Sequence, residues 1–307
     1  MSTVTADYDF VLIIIGGGLA GASLACALKN IRRSSLGDNR PLQIAVIEAH
    51  EVNPDSQPSY DDRTVALSHG SRCIFESMGL WSSLAPYAEA INTIHISDRG
   101  HYGVSRLTSE QEGVEALGYV LENRVIGQQL YADLASKQAD DGRREGGFST
   151  VSLFCPATLV NVQQDAHHVE VVVRAGEKQQ RLTARLMVAA DGNNSRVMRL
   201  LAIGSGRQNY GQVALITNIT PGKKHNNVAY ERFTDTGPLA FLPMQQNRCS
   251  VVWSLSPEMA DYLYALDDDN FLAQLQQRFG YRLGQLKKTG RRHIYPLFLQ
   301  SASRMVH

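Results

Sequence analysis

Residues 10–30 read FVLIIIGGGLAGASLACALKN. The first six of them are apolar throughout, which predicts a central parallel strand that is buried on both faces. Gly16, Gly18 and Gly21 follow at once with the spacing G-x-G-x-x-G and lead into residues with helical periodicity. In such a loop the first glycine permits a tight turn, the second lets the backbone approach a pyrophosphate, and the third lets the helix pack close to the strand. The helix N-terminus adds amide donors for the phosphates. The stretch therefore predicts a βαβ unit that binds an ADP-containing dinucleotide.

Glu48 supports this prediction from the end of the next strand. The apolar segment Gln43–Ile47 predicts the second strand of the unit, and Glu48 follows it directly. A carboxylate at this point can accept hydrogen bonds from an adenosine ribose. It would also repel a 2′-phosphate, so the residue favours FAD or NAD over NADP.

The bulk composition excludes several classes of protein. The 307 residues suit two domains, and 30 basic residues balance 30 acidic ones, so a basic face for nucleic acid is not expected. The four cysteines form no CxxC pair, which argues against a metal site or a disulfide framework. No apolar run approaches the roughly 20 residues that span a bilayer, and the N-terminus lacks an export signal. These observations predict a cytoplasmic protein.

The rest of the chain mixes helical and strand-like patterns. Helical spacing predicts helices over residues 19–31, 68–81, 125–136, 257–266 and 269–279. Alternating or apolar runs predict strands over residues 93–108, 149–188 (with a hairpin around Ala175-Gly176) and 293–299, and in several segments after Leu201. This order predicts a Rossmann-like α/β domain interleaved with an antiparallel β-sheet domain. We expect the first domain over residues 1–90 and 117–203, and the second over residues 91–116 and 204–307.

Asp191 begins a second motif, DGNNSRVMR, directly after an apolar predicted strand. The segment resembles the second flavin motif, D-G-x-x-S-x-x-R, of the aromatic-hydroxylase family of flavoprotein monooxygenases. The Asp and Gly of that motif fall on Asp191 and Gly192 and its Ser on Ser195, whereas its Arg falls on Met198, with Arg199 one place late. The resemblance implies that Asp191 and Gly192 contact FAD, and it extends the fold prediction to the fold of that family.

Two further residues gain a role only through this resemblance. Arg63 lies in YDDRTVALS, which resembles the flavin-contacting loop of the family, in which an arginine lies beside the isoalloxazine and helps to organise the flavin. Gln128 lies on a predicted helix where the family has a polar contact to the ribityl chain or the pyrophosphate. Without the resemblance, Arg63 would be interpreted as a solvated surface charge and Gln128 as an exposed helix residue.

Longer segments resemble the ubiquinone-biosynthesis hydroxylases, and among them the branch that acts on 2-polyprenyl-6-methoxyphenol. The most specific are HISDRGH (95–101), VAADG (188–192), YERFTDTGPLAFLPM (230–244) and RCSVVWSL (248–255). The resemblance implies an FAD-dependent monooxygenase that hydroxylates the ring of a polyprenylated phenol through a flavin C4a-hydroperoxide. O₂ would be the co-substrate and NAD(P)H or another reductant the electron donor. The substrate's tail implies peripheral contact with the inner membrane and with other ubiquinone-biosynthesis proteins.

The C-terminal end bears on cofactor binding. The family has a third flavin motif, a Gly-Asp at a strand end, and this sequence stops at His307, where the strand leading to that motif would begin. We therefore expect a C-terminally truncated chain that holds FAD weakly. Two alternative functions stay open on the sequence alone: another flavoenzyme of this fold, such as an isoprenoid-lipid reductase, and a non-catalytic subunit of the biosynthetic complex.

Overall fold

A computed structural model describes residues 8–29, 42–51, 63–136 and 149–307. In chain order the strands are β1 (Phe10–Ile15), β2 (Gln43–Ile47), β3 (Thr64–Ser68), β4 (Glu89–Ile91), β5 (Thr93–Asp98), β6 (Val104–Thr108), β7 (Gly118–Glu122), β8 (Thr150–Phe154), β9 (Thr158–Gln164), β10 (Val169–Ala175), β11 (Lys178–Ala189), β12 (Ser205–Thr220), β13 (Val228–Thr234), β14 (Gly237–Met244), β15 (Arg248–Leu255), β16 (Lys288–Thr289) and β17 (His293–Ala302). The helices are α1 (Leu19–Lys29), α2 (His69–Ser77), α3 (Trp81–Leu84), α4 (Asn123–Ala135), α5 (Arg196–Leu200), α6 (Pro257–Ala265) and α7 (Asp268–Phe279).

The chain divides into two compact units. The first comprises Met1–Asp62, Asn123–Ser205 and Ala302–His307, and the second comprises Arg63–Glu122 and Gly206–Ser301. Residues 63–90 and 117–122, which the sequence pattern assigned to the first domain, therefore lie in the second unit, and residues 302–307, which it assigned to the second domain, lie in the first unit. The reason is strand pairing: β3 and β4 flank β7 in a small antiparallel sheet of their own.

The first unit contains the predicted Rossmann-like sheet. Its strand order is β8-β2-β1-β11-β10-β9. The strands β8, β2, β1 and β11 are parallel, and β10 and β9 continue the sheet antiparallel. Residues Ile13–Ile15 of β1 are buried, as expected for a strand covered on both faces. The predicted hairpin is the β10–β11 pair, with Gly176 in the turn at φ +59°. This arrangement confirms the predicted fold class.

The second unit is built on a large antiparallel sheet ordered β16-β12-β15-β14-β13-β5-β6, with β17 pairing β12. The small sheet is ordered β3-β7-β4. Alternate side chains of β14 and β15 pack with α6 and α7 in one buried cluster, in which the Phe241 and Phe279 rings stack with centroids 3.8 Å apart. The neighbouring strands β5 and β13 of this sheet run parallel to each other.

Helix boundaries differ from the sequence prediction at two places. The helix predicted over residues 68–81 is two helices, α2 and α3, because the chain turns at Gly79 with φ +76°. The helix predicted from residue 125 begins at Asn123. Part of the predicted helix over residues 19–31 lies outside the described residues. In the described part of the chain, each helix is too short or too polar to cross a bilayer.

Candidate functional site

A cavity of about 610 Å³ opens at the carboxyl ends of β1, β2 and β11 in the first unit. The carboxyl ends of parallel strands are where ligands bind in open α/β sheets. Five of the residues predicted from the sequence to contact the cofactor line it: Gly16, Gly18, Glu48, Asp191 and Gly192. The structure therefore brings together the two motifs, which are about 170 residues apart in the chain.

Gly16 occupies a position that no other residue fits. Its φ of +101° lies in the region that disfavours L side chains. A Cβ built on Gly16 would lie 2.6 Å from the carbonyl carbon of Ala190 and 2.8 Å from the Cα of Asp191. The Gly16 N–H donates to the carbonyl oxygen of Ile47 at 2.8 Å, which fixes the turn against the end of β2. The absence of a side chain thus leaves the backbone that directly follows β11 in close contact with the loop.

Gly21 has the packing role predicted for the third glycine. It is buried in α1, and a Cβ there would overlap the carbonyl oxygen of Gly16. It does not line the cavity. Gly21 therefore sets the closeness of α1 to the loop, and through it the position of the helix N-terminus.

Glu48 holds the loop through backbone hydrogen bonds. Its side chain is buried, and Oε2 accepts the N–H of Gly17 at 2.6 Å while Oε1 accepts the N–H of His50 at 2.8 Å. The Tyr131 hydroxyl, on α4, donates to the carbonyl oxygen of Gly17 at 2.9 Å. Each carboxylate oxygen has two acceptor sites, so both retain capacity for a ligand hydroxyl. Glu48 is therefore preorganised at the cavity wall and still able to bind a ribose.

Asp191 organises the other wall. Its Oδ2 accepts the N–H of Arg196 at 2.6 Å and the N–H of Val197 at 3.1 Å, both in the first turn of α5. Ser195 caps the same helix, with Oγ accepting the N–H of Met198 at 3.0 Å. Ser195 is buried and is not among the cavity residues. The serine of the second motif therefore acts on the helix and not at the cavity.

Two arginines follow Asp191 in this segment, and only one of them lines the cavity. Arg199 donates to the carbonyl oxygen of Asn194 at 3.3 Å and does not line the cavity, whereas Arg196 does. Arg196 is exposed, so its guanidinium is available to a phosphate at the rim.

The lining fits an ADP-containing dinucleotide such as FAD. It contains a glycine loop in which a Cβ at Gly16 would clash with backbone atoms, a helix N-terminus, a carboxylate held by hydrogen bonds, and an arginine. Apolar side chains complete the wall, among them Ile15, Ile47 and Leu159. Where FAD binds, the glycine loop would hold its pyrophosphate and Glu48 its adenosine ribose.

Arg63 and Gln128 lie elsewhere. Neither lines the cavity. Gln128 is half-buried on α4 of the first unit, and Arg63 precedes β3 in the second unit, where its guanidinium lies 4.7 Å from the centre of the Tyr295 ring. The loop of residues 60–62 that suggested the flavin role of Arg63 lies outside the described residues. Their contacts with the cofactor stay predictions.

Gly17, Tyr131 and Arg196 are contributions that the sequence pattern did not single out. Gly17 lies at a variable position of the glycine motif, and Tyr131 has the helical spacing of a core residue. One feature of the sequence could have identified Tyr131. The buried face of α4 also contains the apolar residues Val125, Ile126 and Leu130, and Tyr131 adds a hydroxyl group to it. A buried hydroxyl needs a partner, and here the partner is the dinucleotide loop.

Three aromatic or histidine side chains of the large sheet, Trp253, Tyr230 and His95, pack against other side chains of the second unit. Trp253 is buried and donates from Nε1 to Thr236 Oγ1 at 3.1 Å. Tyr230 contacts Phe279 edge-on with ring centroids 5.4 Å apart, and burial raises the pKa of its hydroxyl. His95 packs against Tyr230, and burial lowers the pKa of its imidazole. These residues belong to the helix-covered face of the large sheet.

Comparison with known proteins assigns the family. The family model described as FAD binding domain matches residues 9–305. Ubiquinone hydroxylase UbiL of Rhodospirillum rubrum is 31% identical over 309 residues, which cover 99% of this chain and 65% of the relative. Ubiquinone biosynthesis monooxygenase COQ6 of Xenopus tropicalis is 30% identical over 291 residues, covering 91% of this chain and 58% of the relative. The chain thus spans about two thirds or less of the length of these relatives.

Solved structures show the same fold at low identity. The p-nitrophenol 4-monooxygenase PnpA of Pseudomonas putida superposes with a TM-score of 0.67 at 14% identity, covering 96% of this chain and 69% of that one. Aklavinone-11 hydroxylase, solved with FAD and aklavinone, has a TM-score of 0.66 at 15% identity, covering 99% of this chain and 56% of that one. The family resemblance seen in the sequence motifs is confirmed: this chain belongs to the FAD binding domain family, together with ubiquinone-biosynthesis monooxygenases.

Proposed function

We propose that this protein is an FAD-dependent monooxygenase that hydroxylates the ring of a polyprenylated phenol in ubiquinone biosynthesis. The observation that supports the proposal most strongly is the cavity in which Gly16, Glu48 and Asp191 meet at the ends of three parallel strands. The ubiquinone hydroxylases among its relatives support the pathway. The resemblance of residues 230–244 and 248–255 to the hydroxylases of 2-polyprenyl-6-methoxyphenol supports that compound as the substrate.

The residues of this chain would bind FAD and orient it and the phenol. The glycine loop and the N-terminus of α1 would hold the pyrophosphate, with Arg196 at the rim. Glu48 would hold the adenosine ribose while keeping the loop in place through Gly17 and His50. Bound FAD, reduced by NAD(P)H or another donor, would supply the activation of O₂. The protein itself would then need no nucleophile, only an orientation of the phenol and exclusion of water.

The test is hydroxylation with labelled oxygen. The purified chain is supplied with FAD, a chemical or enzymatic reductant, ¹⁸O₂ and a short-chain 2-prenyl-6-methoxyphenol, and the products are analysed by mass spectrometry. We expect one ¹⁸O atom in a new ring hydroxyl. Reduction of the prenyl double bond without oxygen incorporation would contradict the proposal and indicate an isoprenoid reductase. Bound flavin with no turnover would contradict it in favour of a non-catalytic subunit.

A matched variant ties the activity to the cavity. At FAD concentrations near the wild-type dissociation constant, Gly16→Ala should lower the yield of labelled product because the added Cβ displaces the loop, whereas Gly176→Ala should retain it. Gly176 also has a positive φ, of +59°, but no atom lies within 4 Å of a Cβ built there.

A further inference from the structure

The large sheet of the second unit has one face that α6 and α7 cover and one that they do not. On the other face, strand register places five residues side by side across five strands. Ile96 pairs with Glu231, Glu231 with Ala240, Ala240 with Val252, and Val252 with Ile216. All five are half-buried. This row is an apolar strip with a single carboxylate within it.

Glu231 is unusual in having no partner. Among the described residues no side-chain hydrogen bond or ion pair involves its carboxylate, and its cross-strand neighbours Ile96 and Ala240 are apolar. Burial raises the pKa of its carboxyl, with no neighbouring charge acting on it. The next residue along the strand, Arg232, points to the helix-covered face and donates to the carbonyl oxygen of Arg278 at 3.0 Å. Arg232 therefore has a hydrogen-bond partner that the carboxylate of its strand neighbour Glu231 lacks.

Neighbouring polar groups on the same side are satisfied by one another. The Thr64 hydroxyl donates to Ser250 Oγ at 2.8 Å, which joins the small sheet to the large one. A half-buried carboxylate without a partner costs free energy in the folded protein, because water is withdrawn and nothing replaces it. A strip that is otherwise apolar would be more stable with an apolar residue at this position. Such a group is expected where a ligand supplies the missing donor.

We infer that Glu231 binds substrate by accepting the hydrogen bond of a phenolic hydroxyl whose ring lies on the row of Ile96, Ala240, Val252 and Ile216. The inference rests on the proposed function for the choice of a phenol. The register suits it, since the residue directly opposite Glu231 is Ala240, whose side chain is small and apolar. An apolar ring would cover the strip while its hydroxyl meets the carboxylate. Glu231 would therefore select for a free hydroxyl on the ring.

The test compares a phenol with its methyl ether. Calorimetric titration of the purified chain with 2-prenyl-6-methoxyphenol and with the corresponding O-methyl ether measures discrimination for the hydroxyl without requiring turnover. Because a hydrogen bond to a charged acceptor is strong, we expect wild type to bind the phenol about 10-fold or more tightly than the ether. Glu231→Leu should bring the ratio of the two dissociation constants close to one. The exposed Glu112→Leu is the matched control and should keep the wild-type ratio.

The outcomes separate this inference from the proposed function. Loss of discrimination in Glu231→Leu without labelled product from wild type would support the binding role and contradict the proposed function. Labelled product together with an unchanged ratio in Glu231→Leu would overturn the binding role alone. Absence of discrimination in wild type would also overturn it. A purely structural role for Glu231 would alter affinity for both compounds equally.

Discussion

Replacement of Gly16 by alanine is the perturbation whose effect the structure defines most sharply. The residue has φ +101°, and the added Cβ would lie 2.6 Å from the carbonyl carbon of Ala190 and 2.8 Å from the Cα of Asp191. These are backbone atoms of the strand end that forms the opposite cavity wall. They cannot rotate away as a flexible side chain could, so the loop itself must move.

The free-energy cost of Gly16→Ala has two contributions. A non-glycine residue in a sparsely populated backbone region costs roughly 1–3 kcal/mol. Overpacking against fixed atoms adds about 1–3 kcal/mol. If about half of this total is expressed as displacement of the pyrophosphate loop, the affinity for FAD falls by about 5- to 150-fold, since each 1.4 kcal/mol is tenfold. The remainder should appear as a lower free energy of unfolding.

The assay is titration with FAD, followed by quenching of flavin fluorescence, together with urea unfolding of the same preparation. Gly176→Ala is the control, because it has the backbone strain without the clash and lies in the β10–β11 turn. It should lower stability and leave FAD affinity unchanged. Wild-type FAD affinity in Gly16→Ala would refute the reasoning.

Four further changes have defined consequences. Tyr131→Phe removes the hydrogen bond to the Gly17 carbonyl and should lower the free energy of unfolding by about 1 kcal/mol, measured by urea titration. Glu48→Gln leaves one of two backbone N–H groups without an acceptor and should cost about 1–3 kcal/mol as well as FAD affinity, measured in the same two assays. Asp191→Ala removes the acceptor for the first turn of α5 and should cost about 1 kcal/mol by thermal unfolding. Burial raises the folded pKa of Glu231 above its ordinary 4.5, so the folded protein favours the protonated carboxyl. The free energy of unfolding is therefore highest below pH 4.5 and falls as the pH rises through the raised pKa. Glu231→Gln should remove this pH-dependent loss of stability, measured as urea unfolding midpoints from below pH 4.5 upward. A pH profile identical to that of wild type would contradict the raised pKa of Glu231.

The sequence predicts the first unit well because its signals are local. An apolar strand, a glycine loop and a helix are adjacent in the chain, and the bounds of β1 and β2 agree with the prediction. Gly21 behaves as the spacing implies because its close contact is with Gly16, five residues earlier, and Gly16 has the positive φ that the tight turn requires. Asp191 follows the same logic at the end of another parallel strand.

The remaining features depend on contacts distant in sequence. Tyr131 reaches Gly17 over 114 residues, and Thr64 reaches Ser250 over 186. Neither contact produces a periodic pattern in the sequence. The placement of residues 63–90 followed the pairing of β3 and β4 with β7, which no composition pattern marks. Glu231 stands out only once register shows its neighbours to be apolar.

Competition at the cavity tests the central claim most directly. The account assigns the cavity of Gly16, Glu48 and Arg196 to the ADP half of FAD, so ADP should displace FAD from the purified chain in a one-to-one titration carried to saturation, and FMN should not. The same displacement should fail to be detected in Gly16→Ala because FAD itself no longer binds at those concentrations. Displacement of FAD by FMN but not by ADP, or saturable one-to-one FAD binding that Gly16→Ala leaves unchanged, would contradict the account.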